Sequence, residues 1–213
     1  MTESYKVPFS TAESEYTEKR SRFIGHVRRV ETEEEARAYI EQIRRQYYDA
    51  RHNCFCYLLK EGNIVRYGDD GEPQGTAGQP MLHVFEMQGV TNVCCVVTRY
   101  FGGILLGAGG LSRAYAKSAA DALAAAGISR MAAYSEVLTA VTYPLYERVR
   151  QLFEQYGGEI TATEFSQDVL ITALLPEGIV PLFQRALTEL SAGSLELREL
   201  STCFCPGPRE EAR

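Results

Sequence analysis

The 213-residue chain lacks the marks of several large function classes. No apolar run approaches bilayer-spanning length, and Met1-Thr-Glu-Ser-Tyr-Lys-Val7 has no signal-peptide core. A cytoplasmic protein with no membrane partner is therefore expected. The six cysteines fall as Cys54-x-Cys56, Cys94-Cys95 and Cys203-x-Cys205, without the two-residue-spaced pairs of a zinc site. Reduced thiols, no metal and no cofactor are the expectation. Histidine is confined to His26, His52 and His83, and no Gly-x-Ser-x-Gly elbow is present, so nucleophilic hydrolysis has few groups to draw on. An ATPase phosphate loop needs Lys and then Ser or Thr directly after Gly-x4-Gly, whereas Gly102-x4-Gly107 is followed by Ala108. A basic excess is also missing: the formal charge is -6 and the pI about 5.2, which excludes a global field for polyanions. The deficit is uneven. Residues 1–131 carry 16 Lys and Arg against 16 Asp and Glu, while residues 132–213 carry 6 against 12. Any nucleic-acid contact is local and belongs to the first half. There is no internal repeat.

What is present is organised around Thr98-Arg-Tyr-Phe-Gly-Gly-Ile-Leu-Leu-Gly-Ala-Gly-Gly-Leu-Ser-Arg-Ala-Tyr-Ala-Lys117. The Val93–Thr98 run before it suits a buried strand, and Leu111, Tyr115, Ala119, Ala122 and Ala126 after it share one helical face that ends at Gly127. The reading is strand, glycine loop, helix. Gly102, Gly103, Gly107, Gly109 and Gly110 leave backbone N–H groups open to close approach, and Arg99, Arg113 and Lys117 bracket them. A helix N-terminus behind bare amides and three cations is a candidate anion site.

Elsewhere in the first half, Phe23–Val27 reads as a strand flanked by Lys19, Arg20, Arg22, Arg28 and Arg29, and Thr32 with Glu35 opens a helix over 33–48. Asn53–Leu59 and Asn63–Tyr67 read as a hairpin, followed by the long connection Gly68-Asp-Asp-Gly-Glu-Pro-Gln-Gly-Thr-Ala-Gly-Gln-Pro80. Its length favours function, with Asp69, Asp70, Glu72 and Thr76 as candidate loop residues. His52, beside Asn53, is the most interesting histidine. Pro80 suits the first turn of a short helix that stops at Gly89.

After Tyr134 the order is strand (134–141), helix, strand (159–165), strand (168–175), helix (179–190) and strand (195–203). That is the ferredoxin-like βαββαβ pattern. The fold class is α+β in two domains, 1–131 and 132–205, with 206–213 a polar tail that has nothing to bury.

Asp49–Cys54, Tyr67–Pro80, Val97–Tyr115 and Ser21-Arg22-Phe23-Ile24 closely resemble signatures of the bacterial YigZ / IMPACT family. The resemblance implies a first domain like the second domain of ribosomal protein S5, a sheet with helices on one face, and a small second domain similar to the last domain of elongation factor G. It further implies a role near translation through an RNA, ribosome or protein partner, and marks Asp49, His52, Asn53, Asp69, Asp70, Glu72, Arg99, Arg113 and Tyr115 as signature positions. Leu105 stands where the family pattern usually has Lys, and Arg51 where Thr is common. No catalytic residue comes with the resemblance. Two readings follow: a translation-associated binding protein, and a small-molecule phosphate enzyme using the glycine loop with Asp69 or Glu72 on Mg²⁺.

Overall fold

The structure, a computed structural model, describes residues 4–210. The described residues divide into two compact units, Tyr5–Arg130 together with 208–210, and Met131–Gly207 together with Ser4.

In the N-terminal unit the short β1 (Tyr5–Pro8) precedes β2 (Ala12–Glu18), β3 (Ser21–Arg29), β4 (His52–Leu59), β5 (Ile64–Gly68) and β6 (Val93–Tyr100). The last five form an antiparallel sheet in the order β2-β3-β6-β4-β5. Strand β6 is central, and Val93 to Val97 are apolar without interruption because both faces of the sheet are covered. Val93, Cys95 and Val97 meet α2 (Gly78–Gln88) and α3 (Ala108–Ala126) through Met81, Phe85, Tyr115 and Ala119. Cys94 and Val96 meet Ala36, Tyr39, Ile40 and Ile43 of α1 (Glu33–Gln46) on the other side. The expectation of helices on one face is thus corrected: α2 and α3 share a face, and α1 takes the opposite one. The reason is the full apolarity of β6, which leaves neither face for water. Helix α1 begins where Thr32 accepts the Glu35 N–H at 3.2 Å, and α2 ends at Gly89 in the left-handed region, φ 65°.

The second unit contains β7 (Ile128–Val141) from Met131 onward, α4 (Tyr143–Gln155), β8 (Glu159–Phe165), β9 (Val169–Pro176), α5 (Val180–Leu190) and β10 (Arg198–Glu210) as far as Gly207. Strand β10 pairs with β7, β7 with β9 and β9 with β8. Val137, Ile171 and Leu175 of the sheet face Val149 and Phe153 of α4 and Phe183 and Leu187 of α5. The Phe153 and Phe183 ring centroids lie 4.4 Å apart. Two details depart from the sequence reading. Strand β7 begins at Ile128, six residues before the expected Tyr134, and β10 runs through residues 206–210, expected to be tail. Gly207 is buried there, and β10 pairs with β7. Residues 211–213 of the expected tail lie outside the described residues.

Candidate functional site

The loop between β5 and α2 distributes its three carboxylates to three tasks. Asp69 closes the loop: its Oδ2 accepts the Gly75 N–H at 2.7 Å and its Oδ1 those of Ala77 and Gly78 at 3.0 and 2.8 Å. It caps α2, whose own N-cap residue, Ala77, has no side-chain acceptor. Asp70 ties the loop to neighbouring elements, accepting the Asn53 N–H at 2.7 Å and standing 3.3 Å from an Arg44 nitrogen of α1. The Thr76 hydroxyl donates to the Pro73 carbonyl at 2.6 Å.

Glu72 alone turns into the unit. Its side chain is 4% exposed, and Oε1 accepts from Arg99 at 2.6 Å and from the Tyr115 hydroxyl at 2.8 Å. Burial, with Cys54 and Glu72 nearby, holds the Tyr115 hydroxyl far above its ordinary range, so it is a neutral donor. Arg99 is buried too, with its guanidinium carbon 5.4 Å from the Phe23 ring centre and 5.5 Å from that of Phe101, and with Ser21 Oγ at 3.5 Å. His52 lies opposite Arg99 in the β4–β6 register. Its Nδ1 is 2.9 Å from the Asp70 carbonyl oxygen, which only accepts, so Nδ1 carries a hydrogen, and in the tautomer with that single hydrogen Nε2 accepts. Nε2 stands 3.9 Å from Glu72 Oε1.

These groups form the polar wall of a cleft of about 370 Å³. Arg51 and Pro73 extend that wall, Phe101, Leu105, Leu106 and Leu111 form the apolar one, and Gly107 and Ala108 bring in the start of α3. Both departures from the family pattern, Arg51 and Leu105, therefore line the same cleft. Gly107 supplies no side-chain cap, and the N–H groups of Ala108, Gly109 and Gly110 meet no acceptor among the described residues. The glycines do not share one task. A Cβ on Gly102 would come within 2.0 Å of the Arg20 carbonyl carbon, so this residue lets the glycine loop press against the β2–β3 turn.

A second cavity of about 430 Å³ lies on the other side of Leu106, lined by Tyr16, Glu18, Lys19, Gly110, Arg113, Ala114 and Lys117. Lys117 is 2.8 Å from Asp121 and 5.0 Å above the Tyr16 ring. Arg113 is exposed and has no carboxylate partner among the described residues. Lys19 and Arg20 form the two-residue β2–β3 turn, with φ of 45° and 66°, a conformation that favours Asn and Gly.

The three cations grouped in the sequence are thus divided: Arg99 is neutralised by Glu72 in the first cleft, whereas Arg113 and Lys117 border the second. Glu72, His52, Arg99 and Tyr115 come together. Asp49 and Asn53 do not join them. Asp49 accepts the Tyr100 hydroxyl at 2.7 Å, holding that hydroxyl's pKa up at about 12, and the Asn53 side chain bonds Thr98 at 2.7 Å. Strand alternation puts Thr98 and Tyr100 on the α1 face, opposite Arg99. Among the residues not anticipated, Phe101 and Leu106 give no polar signal, but Lys19-Arg20 carries one, a charged pair where a two-residue turn wants Asn-Gly. None of the six cysteines is in a disulfide among the described residues, and Cys54, Cys56, Cys94 and Cys95 are buried.

Fold and site define a two-unit mixed α/β protein whose N-terminal unit offers a cleft and a cationic cavity on either side of one glycine loop. Residues 19–123 match the Impact N-terminal domain and residues 139–194 match a domain of unknown function, DUF1949. The IMPACT family member YvyE of Bacillus subtilis is 36% identical over 200 residues, covering 93% of this chain and 92% of the relative. YigZ of Escherichia coli is 34% identical over 198 residues, covering 92% and 97%. A solved structure described as that of an hypothetical protein covers 94% of this chain and 99% of its own, at 33% identity and a TM-score of 0.59. The chain belongs to the IMPACT family. Among the described residues no helix is long and apolar enough to cross a membrane.

Proposed function

We propose that this IMPACT family member is a translation-associated binding protein that takes RNA, free or on the ribosome, against the cationic cavity beside the glycine loop. One observation carries the reading: Arg113 has no carboxylate partner among the described residues, and stands with Lys19 and Lys117 around a cavity that reaches Gly110 in the uncapped first turn of α3. Arg99 is reassigned from phosphate contact to holding Glu72, since its charge is already spent.

The test is a filter or anisotropy titration of ribosomal and short single-stranded RNA across a salt series, with co-sedimentation on ribosomes. Arg113→Ala with Lys19→Ala weakens both by about tenfold, and Leu182→Ala on the second unit changes neither. Unchanged ribosome co-sedimentation in the double variant overturns the site assignment.

A protein partner is the second reading, favoured by Leu105, 83% exposed, at the tip of the glycine loop. Less supports the kinase-like reading: Asp69 is occupied by three amides, and Glu72 is already ion-paired with Arg99. A thermal-shift series with ATP, GTP and Mg²⁺ showing no displacement retires it.

A further inference from the structure

The cleft next to the cationic cavity has an unusual polar end. The Glu72 side chain is 4% exposed, and its hydrogen bonds among the described residues, from Arg99 and Tyr115, all go to Oε1. Glu72 lines the cleft, as does His52, whose Nε2 is left as an acceptor by the bond from Nδ1 to the Asp70 carbonyl. Two acceptors therefore line one cleft, and an occupant bearing N–H groups pairs with both.

A simple ammonium, such as a lysine side chain, fits that end but not the rest of the cleft. Arg51 and Arg99 stand beside it, and the opposite end is lined by Gly107 and Ala108 at the positive end of the α3 dipole. The occupant carries donors at one end and negative charge at the other. Between them it meets Phe101 and Leu105, a flat ring and an apolar wall suited to stacking. A volume of about 370 Å³ is at the low end for small-molecule sites, room for one nucleotide and not for a stack of them.

We propose that the cleft takes one unstacked nucleotide of a single RNA strand and selects a base with an exocyclic amino group, through Glu72 Oε2 and His52 Nε2. The adjoining phosphate lies at the start of α3. The inference rests on the RNA reading above and adds base selection to it. Cytosine presents an amino group where uracil presents a carbonyl, which would face two acceptors with a third.

The test compares labelled octamers of cytidylate and uridylate with the whole chain at fixed ionic strength. The cytidylate octamer binds about tenfold tighter, as loss of one hydrogen bond to a charged acceptor implies. In Glu72→Gln, Oε1 still serves Arg99 and Tyr115 while the amide nitrogen becomes a donor, so the preference falls or reverses towards uridylate. His52→Ala reduces the preference without this reversal, and covers the case in which the Glu72 variant fails to fold. Arg113→Ala lowers both affinities by the same factor. Equal binding of the two octamers, still sensitive to Arg113, overturns base selection and leaves the RNA reading in place. No binding of either octamer removes both. Free CMP binding as tightly as the octamer overturns the strand as the source, and displacement of the octamer by a lysine-terminated peptide overturns the nucleotide as the occupant.

Discussion

At the scale of single residues, three environments make sharp predictions. Arg99 and Glu72 form a buried pair, and removing one partner leaves the other charge without compensation. Arg99→Ala is expected to lower the unfolding free energy by about 3–5 kcal/mol in urea titration. Loss of RNA binding in that variant would therefore report folding, whereas loss in Arg113→Ala reports contact. The β2–β3 turn predicts the reverse trade. Replacing Lys19-Arg20 by Asn-Gly relieves two left-handed residues and should raise stability by about 1–2 kcal/mol while RNA affinity falls. If stability is unchanged, the turn holds no strain. His26 is the third. Burial lowers its pKa, outweighing the pull of Glu13, 3.2 Å from Nδ1, and Nε2 has no partner. The unfolded chain then binds the extra proton first. Stability from this group is full above the ordinary histidine value near 6.5 and is lost as pH falls below it, by at most about 1.4 kcal/mol per pH unit. Urea midpoints of wild type and His26→Gln, compared at pH 7.5 and 5.5, read the difference.

At the scale of elements, the connection between β5 and α2 matters more than either neighbour. Asp69 supplies the acceptors that α2 lacks, and the same loop carries Glu72 into the cleft four residues before Thr76. Asp69→Ala should cost about 2 kcal/mol and abolish the slow hydrogen exchange of the Gly75, Ala77 and Gly78 amides. Retained protection at these amides would show that another group caps the helix. The glycine loop after β6 is limited differently. Gly102 sits where the loop presses on Arg20, so Gly102→Ala disturbs the cationic turn from a distance through backbone contact. The same loop holds Leu106 between the two cavities, which makes it the element that both proposed contacts share.

At the scale of the molecule, charge is divided between the halves of the chain and not spread over it. A net of -6 opposes nonspecific attraction to polyanions, so the proposed RNA contact depends on few cations and should show a shallow salt response. Three single-strand phosphate contacts give a slope of about -2 in log affinity against log salt. A much steeper slope would require cations beyond Lys19, Arg113 and Lys117. The order of elements was legible in the sequence because periodicity reports burial directly. The Val93–Thr98 run and the alanine face after Leu111 each describe their own surroundings. The ends of β7 and β10 were not legible, since a strand's length depends on the partner it pairs with. The site was legible as a set of residues and not as a constellation. Glu72, His52, Arg99 and Tyr115 stand out as signature positions, but nothing in the linear chain says that Glu72 would reach Arg99 while Asp69 and Asp70 turned away. Sequence determined the elements, the glycines and the acidic second half, because these follow from local chemistry. Which cation stays free, which carboxylate is buried and which sheet face each side chain joins were decided only by the tertiary structure, because pairing and burial arise between segments far apart in the chain.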